Sequence, residues 1–157
     1  MKNALKFFIV FSLLTATFYG CKKGATTPDP VVPDTTKPTI SIVKPTAGQA
    51  FVPGNTIIFQ ATFADNVKIS SYDISVTNLP PVGFTLKNVP VPVPWSYTKG
   101  STSFGSNVKQ QEINLSDISI PLLINTNPIS TGKYYFKVTC VDGSNNSVST
   151  TIEIYIN

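Results

Sequence analysis

Three sets of residues in this chain have the types and spacing for chemistry. The first is a single cysteine. Cys21 follows Gly20 at the end of an apolar run over residues 7–19, and Lys2 and Lys6 precede that run. A charged start, a short apolar stretch and a small residue at the break make the layout of an export signal. A cysteine placed directly after the small residue adds a lipid acceptor, although Phe18 and Tyr19 are bulkier than the residues usual before such a site. The apolar run is shorter than the roughly 20 residues needed to cross a bilayer. Several acyl chains on one cysteine are enough for stable anchoring. The expectation is release of residues 1–20, acylation of Cys21 and a chain held on a membrane by lipid. That places it in the cell envelope, as an outer-membrane lipoprotein facing either the periplasm or the surface.

The second set consists of oxygen donors. Asp65-Asn66 and Asp142-Gly143-Ser144-Asn145-Asn146 both interrupt apolar alternation. Asp and Asn side chains suit calcium, which takes oxygen ligands. They also suit turns, where they bond their own backbone. The D-x-D-x-D-G spacing of a dedicated calcium loop is missing. The candidate metal ligands are Asp65, Asn66, Asp142, Asn145 and Asn146, with calcium as the ion they would hold and no other cofactor implied.

The third set is aromatic. Trp95, Tyr97 and Phe104 lie in a stretch that also carries Pro80-Pro81 and then Pro90, Pro92 and Pro94 on alternate positions. Rigid aromatics give contact area at low entropic cost, so a glycan or a protein could dock on them. Large aromatics also dominate cores. Trp95 is expected to fold down as a lid over a sheet edge, and Phe104, flanked by Ser103 and Gly105, to be exposed.

Other chemistry is excluded by composition. The chain contains no histidine, which removes Ser-His-Asp and Cys-His catalysis. The acidic residues after residue 39 are Asp65, Asp73, Glu112, Asp117, Asp142 and Glu153, with no pair marked out for a glycosidase cleft. No enzyme is expected. Every basic residue is lysine, and the lysines are scattered. Nucleic-acid readers favour the arginine fork, so no nucleic-acid partner is expected. Loss of residues 1–20 takes Lys2 and Lys6 with it and lowers the formal charge from +4 to +2. With Cys21 acylated, Cys140 is the only thiol left and no intrachain disulfide can form.

The elements that must position these residues follow from period and punctuation. Residues 21–38 hold Lys22-Lys23, Pro28, Pro30, Pro33 and Pro38 with little to bury, the composition of an extended spacer. Lys22 and Lys23 would sit well against anionic lipid. From residue 39 onward the period is two. Ile57, Phe59, Ala61 and Phe63 alternate with Ile58, Gln60 and Thr62, and Tyr72, Ile74 and Val76 with Ser71, Asp73 and Ser75. Tyr134, Phe136, Val138 and Cys140 form a third series, and Val148, Thr150, Ile152, Ile154 and Ile156 a fourth. Such alternation marks half-buried strands. Short strands with turn residues between them, over residues 39–157, read as one all-β, Ig-like antiparallel sandwich. Gly132-Lys133-Tyr134-Tyr135-Phe136 has the G-x-Y-x-C spacing that opens strand F of that fold, with Phe136 in place of the cysteine. Tyr134 is then the candidate tyrosine corner. The B–C and F–G loops of this fold share one end, which should bring Asp65 and Asn66 near Asp142, Asn145 and Asn146. Residues 78–109 form a long insertion after strand C, with the part around Gly100 to Asn107 expected to be flexible. Strand pairing is expected to resume at Gln111, Ile113 and Leu115, or at Ile118 and Ile120.

Taken together, Lys37-Pro38-Thr39-Ile40, Phe51-Val52-Pro53-Gly54, Ala61-Thr62-Phe63-Ala64-Asp65-Asn66, Pro94-Trp95-Ser96-Tyr97, Gly132-Lys133-Tyr134-Tyr135-Phe136 and Asp142-Gly143-Ser144-Asn145-Asn146 resemble a family of Bacteroidota-type lipoproteins of uncharacterised activity. The resemblance implies one Ig-like or cadherin-like domain behind a lipobox and a tether. It also implies a histidine-rich, metal-binding insertion, which this chain lacks, so no site residue carries over. The expected function is a non-catalytic envelope binding module for a glycan or a protein. The alternative is a structural or adhesion module with no small-molecule ligand, with or without rigidification by calcium.

Overall fold

The computed structural model describes residues 32–78 and 91–157. The expected signal, Cys21, most of the tether and residues 79–90 of the insertion lie outside them. The alternating segments become ten strands: β1 Thr39–Lys44, β2 Ala50–Phe51, β3 Thr56–Ala64, β4 Ile69–Asn78, β5 Tyr97–Ser103, β6 Gln110–Ser119, β7 Leu123–Ile124, β8 Asn127–Pro128, β9 Gly132–Asp142 and β10 Ser147–Ile156. The described residues contain no helix.

One sheet has the order β1-β3-β6 and the other β2-β10-β9-β4-β5, with β7 and β8 forming a small hairpin. Only β2 and β10 pair in parallel within the two main sheets. This is an all-β, Ig-like sandwich. The period-two series supply the interior: Ile57, Phe59, Ala61 and Phe63 from β3 meet Ile74, Val76, Phe136, Val138 and Cys140 from the other sheet, all sealed from solvent. Phe59 and Phe136 stack with ring centroids 5.6 Å apart. Burying each ring contributes about 1.5–3 kcal/mol, and the stacked geometry adds about 0.5–1.5 kcal/mol. This pair links the sheets where a disulfide does so in antibody domains.

Tyr134 is fully buried. Its hydroxyl donates to the Ser130 carbonyl at 2.6 Å and accepts weakly from the Trp95 backbone N–H at 3.4 Å. The tyrosine corner read from the G-x-Y spacing is formed. Trp95 lies over it, 5% exposed, with its ring 6.1 Å from that of Tyr134.

Three expectations need correction. Pairing of β6 does not choose between Ile113/Leu115 and Ile118/Ile120. A register shift between Ile57 and Phe59 switches the inward parity, so β6 uses Ile113 and Leu115 and then Ile118, with Ile120 buried just past its end. Residues Gly100 to Ser103 are not flexible, because they belong to β5 and pair with β4 at the sheet edge. Gly100 and Ser101 lie in a second register shift, between Tyr72 and Ile74; an edge strand needs only one apolar face, so its sequence is mostly polar. Val93, between two prolines, still uses both backbone groups, accepting from Ser130 N at 2.9 Å and donating to Pro128 O at 2.9 Å. Finally, the compact unit begins at Pro33, ahead of the composition boundary at residue 38.

Candidate metal centre

The B–C loop leaves β3 at Asp65 and enters β4 at Ile69, and the F–G loop leaves β9 at Asp142. Ile69 pairs with Asp142 across the sheet, so the two loops start side by side. Asp65 builds its own turn: its Oδ1 accepts from Val67 N at 2.9 Å and Lys68 N at 2.7 Å. Asp142 does the same for its loop, Oδ1 accepting from Ser144 N and Asn146 N, both at 2.8 Å. Local turn chemistry thus fixes both carboxylates.

A third carboxylate arrives from the segment read as tether. Thr39 pairs with Ala64, so the chain entering β1 passes beside Asp65. Asp34 lies there, its Oδ1 accepting from Thr36 N at 3.0 Å and from Asn66 Nδ2 at 3.2 Å. Asn146 Nδ2 donates to Asp142 Oδ2 at 2.7 Å, to the Asp34 carbonyl at 3.1 Å and to the Thr36 carbonyl at 3.3 Å. One carboxylate oxygen each from Asp34, Asp65 and Asp142 lies within 4.8 Å of the other two.

The remaining oxygens decide what this cluster can do. Asp34 Oδ2 and Asp65 Oδ2 are shut off from solvent and accept no hydrogen bond. Buried polar atoms without partners are costly and rare. Neither of the two ion pairs among the described residues, Lys99–Asp117 and Lys133–Glu153, involves the cluster. The Thr36 backbone N–H holds the Asp34 carboxyl below the usual carboxylate range, so Asp34 is ionised at neutral pH. Burial, together with the Asp65 and Asp142 charges, pushes the Cys140 thiol up to about 11. Carboxylates and carbonyls are hard donors that suit Ca2+ or Mg2+. Two oxygens on one calcium stand up to about 5 Å apart, against about 4.2 Å on magnesium. One oxygen from each of the three carboxylates lies within 4.8 Å of the others, inside the reach of a single calcium ion.

Of the five residues expected from sequence, Asp65 and Asp142 are in the cluster. Asn66 and Asn146 orient Asp34 through N–H groups. Asn145 is an exposed turn residue with φ 67° and makes no hydrogen bond to the cluster. Asp34 is the residue that sequence reading missed, since its Pro/Thr surroundings look like linker.

The aromatic set does not form one face. Trp95 is inside the fold and presents a ligand with almost no surface. Tyr97, 6.4 Å from Trp95 between centroids, is half-buried on the edge strand. Phe104 is not exposed as expected: it packs 5.4 Å from Phe63 and 5.3 Å from Tyr72. Its backbone N–H donates to Ser70 O at 2.9 Å, which turns the ring inward toward the sandwich.

Comparison with known proteins adds the following. A family model described as a domain of unknown function, DUF4625, matches residues 20–157. No curated protein sequence matches the chain. Among solved structures it is similar to fibronectin(III)-like modules of CbhA from Clostridium thermocellum, at 14% identity and a TM-score of 0.42, covering 76% of this chain and 46% of that one. It is also similar to the sporulation control protein Spo0M from Bacillus subtilis, at 12% identity and a TM-score of 0.43, covering 77% and 49%. The chain thus spans about half the length of those two.

Proposed function

The chain belongs to the DUF4625 domain family, and from that premise we propose that it is a lipid-anchored cell-envelope protein whose Ig-like module acts without catalysis, as a structural or adhesive unit made rigid by calcium. The observation that carries this reading is the pair of buried oxygens, Asp34 Oδ2 and Asp65 Oδ2, left without hydrogen bonds beside Asp142. A divalent cation there would satisfy both atoms and offset the mutual repulsion of three carboxylates. It would also join three separate segments, which is a stabilising role.

The envelope part of the reading is supported by the Gly20-Cys21 signal layout and by Lys22-Lys23 next to it. With Trp95 sealed in the core, recognition of a glycan or protein partner would fall to other surfaces of the module.

Thermal unfolding of the chain from Lys22 to Asn157 tests the proposal. At calcium about 100 times its dissociation constant, stability should rise by about 2.7 kcal/mol, roughly 10 °C for a domain of this size. Chelation should reverse the gain, and magnesium should give less. Identical melting in calcium and in chelator would overturn it.

A further inference from the structure

The three carboxylates are held very differently, and the difference points to what the ion would control. Asp65 directly follows β3 and Asp142 ends β9, both long strands paired within the sandwich. Asp34 sits on a segment with no strand partner. Thr35, Thr36 and Lys37 are exposed, and only Pro38 is buried. The bonds from this segment to the domain are those from Asn66 and Asn146, and hydrogen bonds open to water add little stability each. Without a cation, Asp34 carries a buried oxygen that accepts no hydrogen bond, beside the Asp65 and Asp142 carboxylates. With one, the same charge becomes the strongest attachment the segment has.

We infer that the metal centre is a clasp: calcium held between Asp34, Asp65 and Asp142 locks residues 34–38 onto the domain and fixes the direction in which the chain enters β1. The inference rests on the calcium reading above. Clasped, residues 34–38 are held against the loops that carry Asp65 and Asp142; released, they are free and the entry into β1 can pivot. The ion would act on this entry segment rather than on the core of the sandwich, which lies elsewhere.

Amide hydrogen exchange on the chain from Lys22 to Asn157, run in calcium and in chelator beside a melting curve, tests the clasp. The amides of Thr35, Thr36 and Lys37 should exchange at least tenfold more slowly in calcium, as expected for a segment moving from the low-stability to the protected class. Asp34→Asn should abolish that difference while the amides of β9 keep their protection, which shows the variant is folded. If calcium raises the melting temperature but leaves exchange at residues 35–37 unchanged, the clasp is wrong and the calcium site stands. If calcium changes neither, both fall.

Discussion

Strand β9 joins two contrasting ends of the molecule. At its start, Tyr134 is fully buried with its hydroxyl bonded to Ser130 O. At its far end, about 27 Å along the strand, Asp142 is buried beside Asp34 and Asp65, two of whose oxygens have no partner. Both ends take polar groups out of water. The first is complete within the chain; in the second, two oxygens have no donor, and the proposed ion would satisfy them. A satisfied buried polar group is part of the scaffold; an unsatisfied one beside like charges marks a place for a ligand.

Substitutions should separate the two ends. The largest effect belongs to the complete one. Tyr134→Phe leaves the buried Ser130 carbonyl without its donor and should cost about 1–3 kcal/mol, read as a fall in melting temperature that is the same in calcium and in chelator. A loss confined to one of those conditions would blur the contrast. Asp65→Asn should act with opposite signs. The amide keeps the acceptor for Val67 and Lys68 and turns the orphaned oxygen into a donor facing two carboxylates. In chelator the variant should be more stable than the parent by about 0.5–1.5 kcal/mol, and in calcium less stable. Equal melting shifts in both conditions would show that Asp65 has only its turn role.

The smallest expected effect is on acidification. The Asp34 carboxyl is held below its ordinary range by the Thr36 N–H, so its folded pKa lies under its unfolded one. Its contribution is then present above about pH 4 and lost as pH falls through the lower folded value. The calcium-dependent gain in melting temperature should survive at pH 5 and fade below about pH 4. A gain already absent at pH 5 would remove Asp34 from the site.

Legibility in the sequence followed the range of the interactions. The Tyr134 corner and the inward series of β3, β4 and β9 could be read locally, because spacing along one strand decides them. Asp65 and Asp142 could be paired from topology, since an Ig-like fold puts their loops at one end. Asp34 could not, because its surroundings have linker composition and only the pairing of Thr39 with Ala64 carries it to the site. The strand over Tyr97–Ser103 was hidden for a related reason: an edge strand needs little apolar patterning, and Gly100 reads as a loop residue until the bulge is seen. Phe104 was misjudged from its Ser and Gly neighbours, whereas the turn that follows β5 brings its ring onto Phe63 and Tyr72.

Calorimetric titration of calcium into the chain from Lys22 to Asn157 bears most directly on the central claim. The account expects one saturable ion per chain, with binding weakened at least tenfold by Asp65→Asn and unchanged by Tyr134→Phe. No binding, or binding indifferent to Asp65, would contradict it.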